Sequence, residues 1–361
     1  MQIFSNYEVQ KLNIANVEWA NIYILIIVLF LILLSFKQRE KSDFLDRTTT
    51  GQIRGLAILM VVIGHIWVHV TSEKPKLIMS GDGVAFFLLL SGFGLALSFN
   101  KKKLKLREYI TKRVNRVMIP YWFVTLLILS LDFVLLDRTY KISHIVLTFL
   151  GVNVYGVMHH FDYVRWYITF LLFWYIAAYF SAIFRNRGRG AVFILFLCVL
   201  AFPGDYYLLH FGWYQFLAFP VGYVLGLYID ILKKSIDRIG SYRSLIFIVI
   251  AICTVYYKLF LYQALSSVLP SIVIRFLLDL NSLIFAFSLI IFFDSIKKYY
   301  SRFLSVIGKY SYEIFLLHGV FLVKYNPVFK LGSLVLTFIL FLMFIVSLSW
   351  LMNKSIERVK I

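Results

Sequence analysis

Runs of about 15 to 22 apolar residues recur along this 361-residue chain, and short segments rich in Lys and Arg lie between them. At 1.5 Å of rise per helical residue, runs of that length match the roughly 30 Å hydrocarbon core of a bilayer. Backbone groups in lipid must find their hydrogen bonds inside the segment, so the pattern predicts transmembrane helices. Eleven are expected, over about 20–36, 54–71, 83–98, 119–136, 166–183, 191–203, 214–231, 245–261, 276–293, 311–323 and 332–351. The expected fold is an all-α, polytopic membrane protein. Composition excludes the soluble alternative: 61% of residues are hydrophobic and only 15% charged, against roughly a quarter charged in soluble domains.

Charge supports the count. Of the 37 Lys and Arg residues, 26 fall in alternate loops beginning with 37–53, and ten lie on the opposite side, counting Lys258 at the far end of its span. Cytoplasmic loops of membrane proteins carry such an excess, which places the N-terminus outside and the C-terminus in the cytoplasm. The formal net charge of +19 is thereby assigned to topology, and no nucleic-acid partner is expected. The first apolar run, Ile22 to Phe36, has its positive flank (Lys37, Arg39, Lys41) after it, which fits an uncleaved anchor better than a signal peptide. Cys198 and Cys253 stand alone inside apolar segments, so neither a disulfide framework nor a metal site is expected.

Ionisable groups within spans are expensive and mark functional candidates. The second span reads Arg54-Gly-Leu-Ala-Ile-Leu-Met-Val-Val-Ile-Gly-His65. Eleven helical steps return to the same face within about 20°, with His65 about 16 Å further along, near mid-depth. A permanent cation then stands at the cytoplasmic mouth and a proton-accepting imidazole lies within the bilayer. His69, one turn further, reads as an interface residue. In the late segment Ser311 to His318, seven steps again preserve the face, and His318 reaches the depth of His65. Glu313 can pair with Lys309 at i,i+4, and Arg275 and Asp279, at the same spacing, read equally as a structural pair at the external end of the ninth span or as part of the acceptor site. The outer segment Asp137–Arg165 holds an amphipathic stretch, Ile142–Tyr155, suited to lie in the interface or re-enter the membrane, and with His144, His159, His160 and Asp162 it otherwise reads as a solvated loop. Aromatic residues at span ends, such as Trp122, Tyr206, Tyr207, Trp213 and Tyr214, belong mostly to interfacial belts.

Five segments in order make the chain recognisable. They are Arg54 with His65; Gly83-Val-Ala-Phe-Phe-Leu-Leu-Leu-Ser91-Gly-Phe; Lys112-Arg113-Val-Asn-Arg116-Val-Met-Ile-Pro120; Trp166-Tyr167; and Gly308-Lys-Tyr-Ser311-Tyr312-Glu-Ile-Phe-Leu-Leu-His318. Together they resemble the membrane acyltransferase-3 family, which O-acylates sugars of bacterial surface polysaccharides and related acceptors. The resemblance implies a ten-helix acyltransferase core over 51–361, preceded by an anchor and cytoplasmic loop over 1–50. The family often has an Asp three residues before the Arg, where this chain has Gly51; Glu313 or Asp279 is the candidate substitute.

The function implied is transfer of an acetyl group from acetyl-CoA to a hydroxyl of a cell-surface or lipid-linked saccharide. His65 and His318 are the expected catalytic residues: His65 either deprotonates the sugar hydroxyl or transiently carries the acyl group, and His318 is placed to orient His65, bind the acceptor or bond a carbonyl. Arg54, Lys112, Arg113, Arg116, Ser91, Ser311 and Tyr312 are the expected donor-site residues. The basic residues suit a polyanionic donor through charge-assisted bonds, while Lys101–Lys105 read as lipid-facing charge. Trp166 and other outer aromatics are candidates to stack on a sugar. No metal is expected. A bacterial plasma membrane is the expected location, with membrane lipids as surroundings, and the sequence sets no oligomeric state. The rival reading is a transporter or flippase for a lipid-linked saccharide. Such folds often carry repeated halves or interrupted helices in matching positions, and neither is evident.

Overall fold

The structure is a computed structural model that describes residues 11–40, 43–101, 105–153, 161–184, 186–206, 215–325 and 332–358. Helix α1 (Val17–Leu34) starts where the Asn16 carboxamide accepts a hydrogen bond from the Trp19 amide, and most of its surface faces outward. A two-stranded antiparallel sheet pairs β1 (Phe36–Gln38) with β2 (Tyr299–Ser301), in the register Phe36 opposite Ser301. Helix α2 (Arg47–His69) runs unbroken, and α3 (Ser80–Lys101) packs beside it. Helix α4 (Leu106–Arg113) passes through a π-turn (Val114–Met118) into α5 (Ile119–Leu136). The π-turn ends two residues before Pro120, whose ring nitrogen has no hydrogen to give the preceding turn. The outer segment contains α6 (Ile142–Phe149), and a 3₁₀ turn (Tyr163–Arg165) leads into α7 (Trp166–Ile183).

The second half comprises α8 (Arg187–Gly204), α9 (Ala218–Leu227), α10 (Ile229–Ile239) and α11 (Arg243–Tyr256), the last continuing through a π-turn into α12 (Tyr262–Ser266). It closes with α13 (Ser271–Ser295), α14 (Arg302–Lys309), α15 (Ser311–Val323) and α16 (Leu334–Ile356). Among the described residues nine helical stretches are long and apolar enough to cross a bilayer, or ten if α14 and α15, bent by 73°, count as one. The protein is thus an all-α, multi-pass membrane protein. Its seventh expected span is realised as α9, whose ten residues rise only about 15 Å; the span's first residue, Tyr214, lies outside the described residues.

Helices α2, α3 and α15 form the interior, whereas α1 and the α11–α12 stretch lie mostly outside it. Lipid gives apolar helices no reason to prefer one another, so close packing at small residues has to hold them together. A Cβ on Gly92 of α3 would stand 2.3 Å from the Phe219 carbonyl oxygen of α9, and one on Gly222 would stand 2.2 Å from that of Leu89. Helices α2 and α14 touch in the same way, at Gly55 against Leu304 and Gly308 against Gly51. Polar ties fasten the periphery: Trp67 Nε1 donates to Asn21 Oδ1 of α1 at 2.9 Å.

Candidate active site

The helix that carries Arg54 and His65 begins seven residues earlier than the apolar run. Asp46 caps it by accepting from the Thr49 amide at 2.8 Å, and Arg39 grips the same carboxylate at 2.6 Å. Burial pushes the Asp46 carboxyl up, but the Thr49 and Arg39 contacts outweigh it and hold the group below its ordinary value. The polar first turns stay helical because they are packed: Gln52 is buried and accepts from the Ser301 amide of β2 at 2.7 Å. Arg54 therefore stands about 10 Å inside the helix start, and His65 about 6 Å from its end at His69. Measured along the helix, His65 is closer to the far end than the expected mid-depth.

At the Arg54 end, helices α2, α3, α7 and α15 and the α4–α5 turn enclose a cavity of about 550 Å³. Its lining contains Arg54, Lys112, Arg113, Arg116, Ser91, Ser311 and Tyr312, so all seven expected donor-site residues come together. Among the described residues no Asp or Glu lines it, and none of the four cations forms an ion pair. Arg113 is held by aromatic faces, 5.5 Å from the Tyr109 ring centroid and 5.0 Å from that of Tyr175. The Tyr109 hydroxyl donates to the Tyr175 carbonyl at 2.8 Å, fixing α4 against α7. The Tyr312 hydroxyl donates to the Val117 carbonyl at 2.9 Å, which leaves its oxygen lone pairs open. A larger cavity of about 710 Å³ lies between α1, α14 and α16, but among the described residues Arg302 is its only ionisable lining residue.

The two histidines meet. His65 Nδ1 lies 2.8 Å from His318 Nε2, with the ring planes 1° apart. His318 Nδ1 lies 2.8 Å from the Phe315 carbonyl and 3.1 Å from that of Ile314. Carbonyls only accept, so His318 Nδ1 carries a hydrogen and, in the neutral ring, its Nε2 is a bare acceptor. His65 Nδ1 must then donate to it, which leaves the lone pair of His65 on Nε2. Backbone carbonyls of α15 thus set the tautomer of a histidine on α2. His318 is fully buried, whereas His65 is only partly so.

Neither histidine lines the cavity. Phe315 and Tyr167 do, with ring centroids 4.8 Å apart, and Phe315 stands 5.7 Å from His318. One layer of aromatic rings thus separates the basic cavity from the imidazole pair. On its other side His65 faces the Tyr163 ring at 5.3 Å and the His69 ring at 6.1 Å.

Several sequence expectations need correction. Glu313 does not take Lys309: the bend at Tyr310 separates them, and Glu313 Oε1 accepts from Asn353 Nδ2 at 2.7 Å. Arg275 and Asp279 are not bonded to each other either. Arg275 pairs with Asp205 at 2.6 Å, while Asp279 accepts from the Leu217 amide at 3.2 Å. Neither carboxylate pairs with Arg54 in place of the family's Asp. Of the amphipathic stretch, Ile142–Phe149 is helical, and Trp122 Nε1 secures it by donating to the Phe149 carbonyl at 2.7 Å. His159, His160, Tyr207 and Trp213 lie outside the described residues. Trp166 opens α7, packed edge-on against Tyr167. The sequence reading passed over Tyr109 and Tyr175; the i,i+4 spacing of Tyr109 and Arg113 on one helix was the available signal for the first.

The family model described as an acyltransferase domain, that of the acyltransferase-3 family, matches residues 51–354. No curated protein and no solved structure matches the chain. The matched region contains all seven polar and basic residues named above in the cavity lining, and both histidines. The chain belongs to the acyltransferase-3 family and is a membrane acyltransferase.

Proposed function

We propose that the protein transfers an acetyl group from acetyl-CoA to a hydroxyl of a cell-surface or lipid-linked saccharide. The observation that carries this reading is a cavity with four cations, no carboxylate among its described lining, and a histidine of defined tautomer one ring-layer behind it. A donor rich in phosphate is the natural counter-charge for such a lining. Arg54, Lys112, Arg113 and Arg116 hold the phosphates, and Ser91, Ser311 and Tyr312 offer hydrogen bonds to the pantetheine arm. Tyr167 and Phe315, in edge-to-face contact at 4.8 Å, have to part for the arm to reach His65.

His65 Nε2 takes the proton of the acceptor hydroxyl as its oxygen attacks the thioester carbonyl. A C–O bond forms, the C–S bond breaks, and the imidazolium returns the proton to the departing thiolate. His318, with Nδ1 held by carbonyls, orients His65 and steadies its cationic form. Water is scarce in such a site, which favours transfer over hydrolysis. The positive-inside distribution puts the Arg54 end in the cytoplasm, where the donor resides, and a bacterial plasma membrane is the setting this topology supports.

The test is incorporation of label from radiolabelled acetyl-CoA into glycan in proteoliposomes. A covalently acetylated product supports the reading; passage of an unmodified lipid-linked saccharide across the vesicle, with no covalent product, overturns it in favour of a transporter.

A further inference from the structure

Next to the histidine pair, away from the basic cavity, lies a second group of polar side chains that no described residue fully satisfies. Arg165 is 1% exposed, Asn153 1% and Asp162 6%. Arg165 Nη1 donates to Thr125 Oγ1 at 2.7 Å and its guanidinium lies 4.9 Å from the Tyr121 ring centroid, yet Nε and Nη2 have no partner among the described residues. Asp162 Oδ1 accepts from the Val164 amide at 3.3 Å, while Oδ2 has no partner among the described residues. One end of the Asn153 amide meets the Tyr121 hydroxyl at 3.1 Å and the other end is open. Buried polar atoms are normally bonded, and leaving a charged one unmet is costly. Several unmet atoms in one place call for an occupant with oxygen and hydroxyl groups.

The position of this group fits the reaction. The Asp162–Arg165 segment threads between the two histidine-bearing helices: Tyr163 faces His65, and a Cβ on Gly319, the residue after His318, would stand 2.6 Å from Asp162 Oδ1. Only glycine there lets the carboxylate lie against α15 next to the imidazole pair.

We propose that Arg165, Asp162 and Asn153 form the acceptor subsite and bind a neutral vicinal diol of the saccharide next to His65. This rests on the acetyl-transfer reading above. Nε–H and Nη2–H lie on one edge of the guanidinium and donate in parallel to two adjacent hydroxyl oxygens. Asp162 Oδ2 accepts a hydroxyl hydrogen, which orients the ring. One guanidinium and one carboxylate leave no net charge in the subsite, so a sugar bearing its own carboxylate gains nothing from Arg165 that it does not lose to Asp162.

The experiment uses full-length protein in proteoliposomes, labelled acetyl-CoA, and methyl glycosides of glucose, galactose and mannose beside methyl glucuronide. Arg165→Lys and Asp162→Asn are expected to raise the KM for the best neutral glycoside about tenfold to a hundredfold, with the Kd for CoA unchanged and the glucuronide labelled less well than glucose. Where Arg165→Lys fails to fold, Asn153→Ala, which alters no charge, is read in its place with a smaller rise in the same KM. An unchanged acceptor KM in folded variants overturns the subsite. So does a glucuronide preferred to the neutral sugar, or a wild type that binds CoA and labels none of the glycosides. A wild type that neither binds CoA nor labels any sugar overturns the acetyl-transfer reading instead.

Discussion

Two regions of the protein put charge into an apolar interior, and they treat it in opposite ways. In the basic cavity, Arg54, Lys112, Arg113 and Arg116 face open space with no ion pair among the described residues. Between α5 and the end of α15, Asp132 is fully buried and both of its oxygens are bonded. Lys324 Nζ lies 2.6 Å from its Oδ2, the Tyr325 hydroxyl donates to Oδ1 at 2.6 Å, and the Tyr140 hydroxyl also donates to Oδ2. Asp82 is treated likewise, by Lys258 and by Ser282 at 2.6 Å. A charge answered within the chain joins helices; a charge left open is held for something that arrives. An ionisable residue in a span therefore becomes a site candidate only once its partner is known.

Breaking the answered region is expected to have the largest effect. Lys324→Met strands the Asp132 carboxylate and should lower stability by about 3–5 kcal/mol, read as thermal unfolding in detergent. Adding Asp132→Leu should recover most of that loss, because removing a buried pair whole is far milder than removing half of it. The open region should behave in reverse. Arg113→Ala with Arg116→Ala should leave the unfolding midpoint where it was and raise the donor KM about tenfold to a hundredfold, the worth of one charge-assisted bond or two. An unchanged donor KM would remove these arginines from the site.

A subtler contrast concerns the histidine that serves the other. His318→Leu removes the acceptor for His65 Nδ1–H and should cut kcat by about tenfold to a hundredfold, the usual cost of losing a partner that orients a histidine. His318→Gln keeps an oxygen near the position of Nε2 and should retain much of the rate at an unchanged donor KM. Smallest is the effect of salt. Raising ionic strength from 0.1 to 1 M shortens the screening length from about 10 to 3 Å, so CoA binding should weaken several-fold while the unfolding midpoint of the Asp132 region hardly moves.

What the sequence made legible is what one helix determines alone. The Arg54–His65 spacing gave a shared face on α2, and Ser311, Tyr312 and His318 do fall on one helix. What it could not give is which helices meet. His65 and His318 are 253 residues apart, and Asp132 and Lys324 are 192 apart; no periodicity links them. Local spacing misled where a better partner lay on another helix, as Asn353 did for Glu313 and Asp205 for Arg275. The start of α2 was missed because Thr49 and Gln52 are polar, and burial against neighbours rather than hydropathy makes those turns helical. Hydropathy also gave α1 and α2 the same reading, although one lies at the periphery and the other at the centre.

The central claim is that the basic cavity delivers an acyl donor to His65. Its most direct test is the acetyl-transfer rate and the CoA dissociation constant, measured on a single preparation of His65→Ala beside wild type. The rate should fall by about 10²–10⁴ with the dissociation constant unchanged. A variant that keeps the wild-type rate, or that loses CoA binding together with the rate, would contradict that claim.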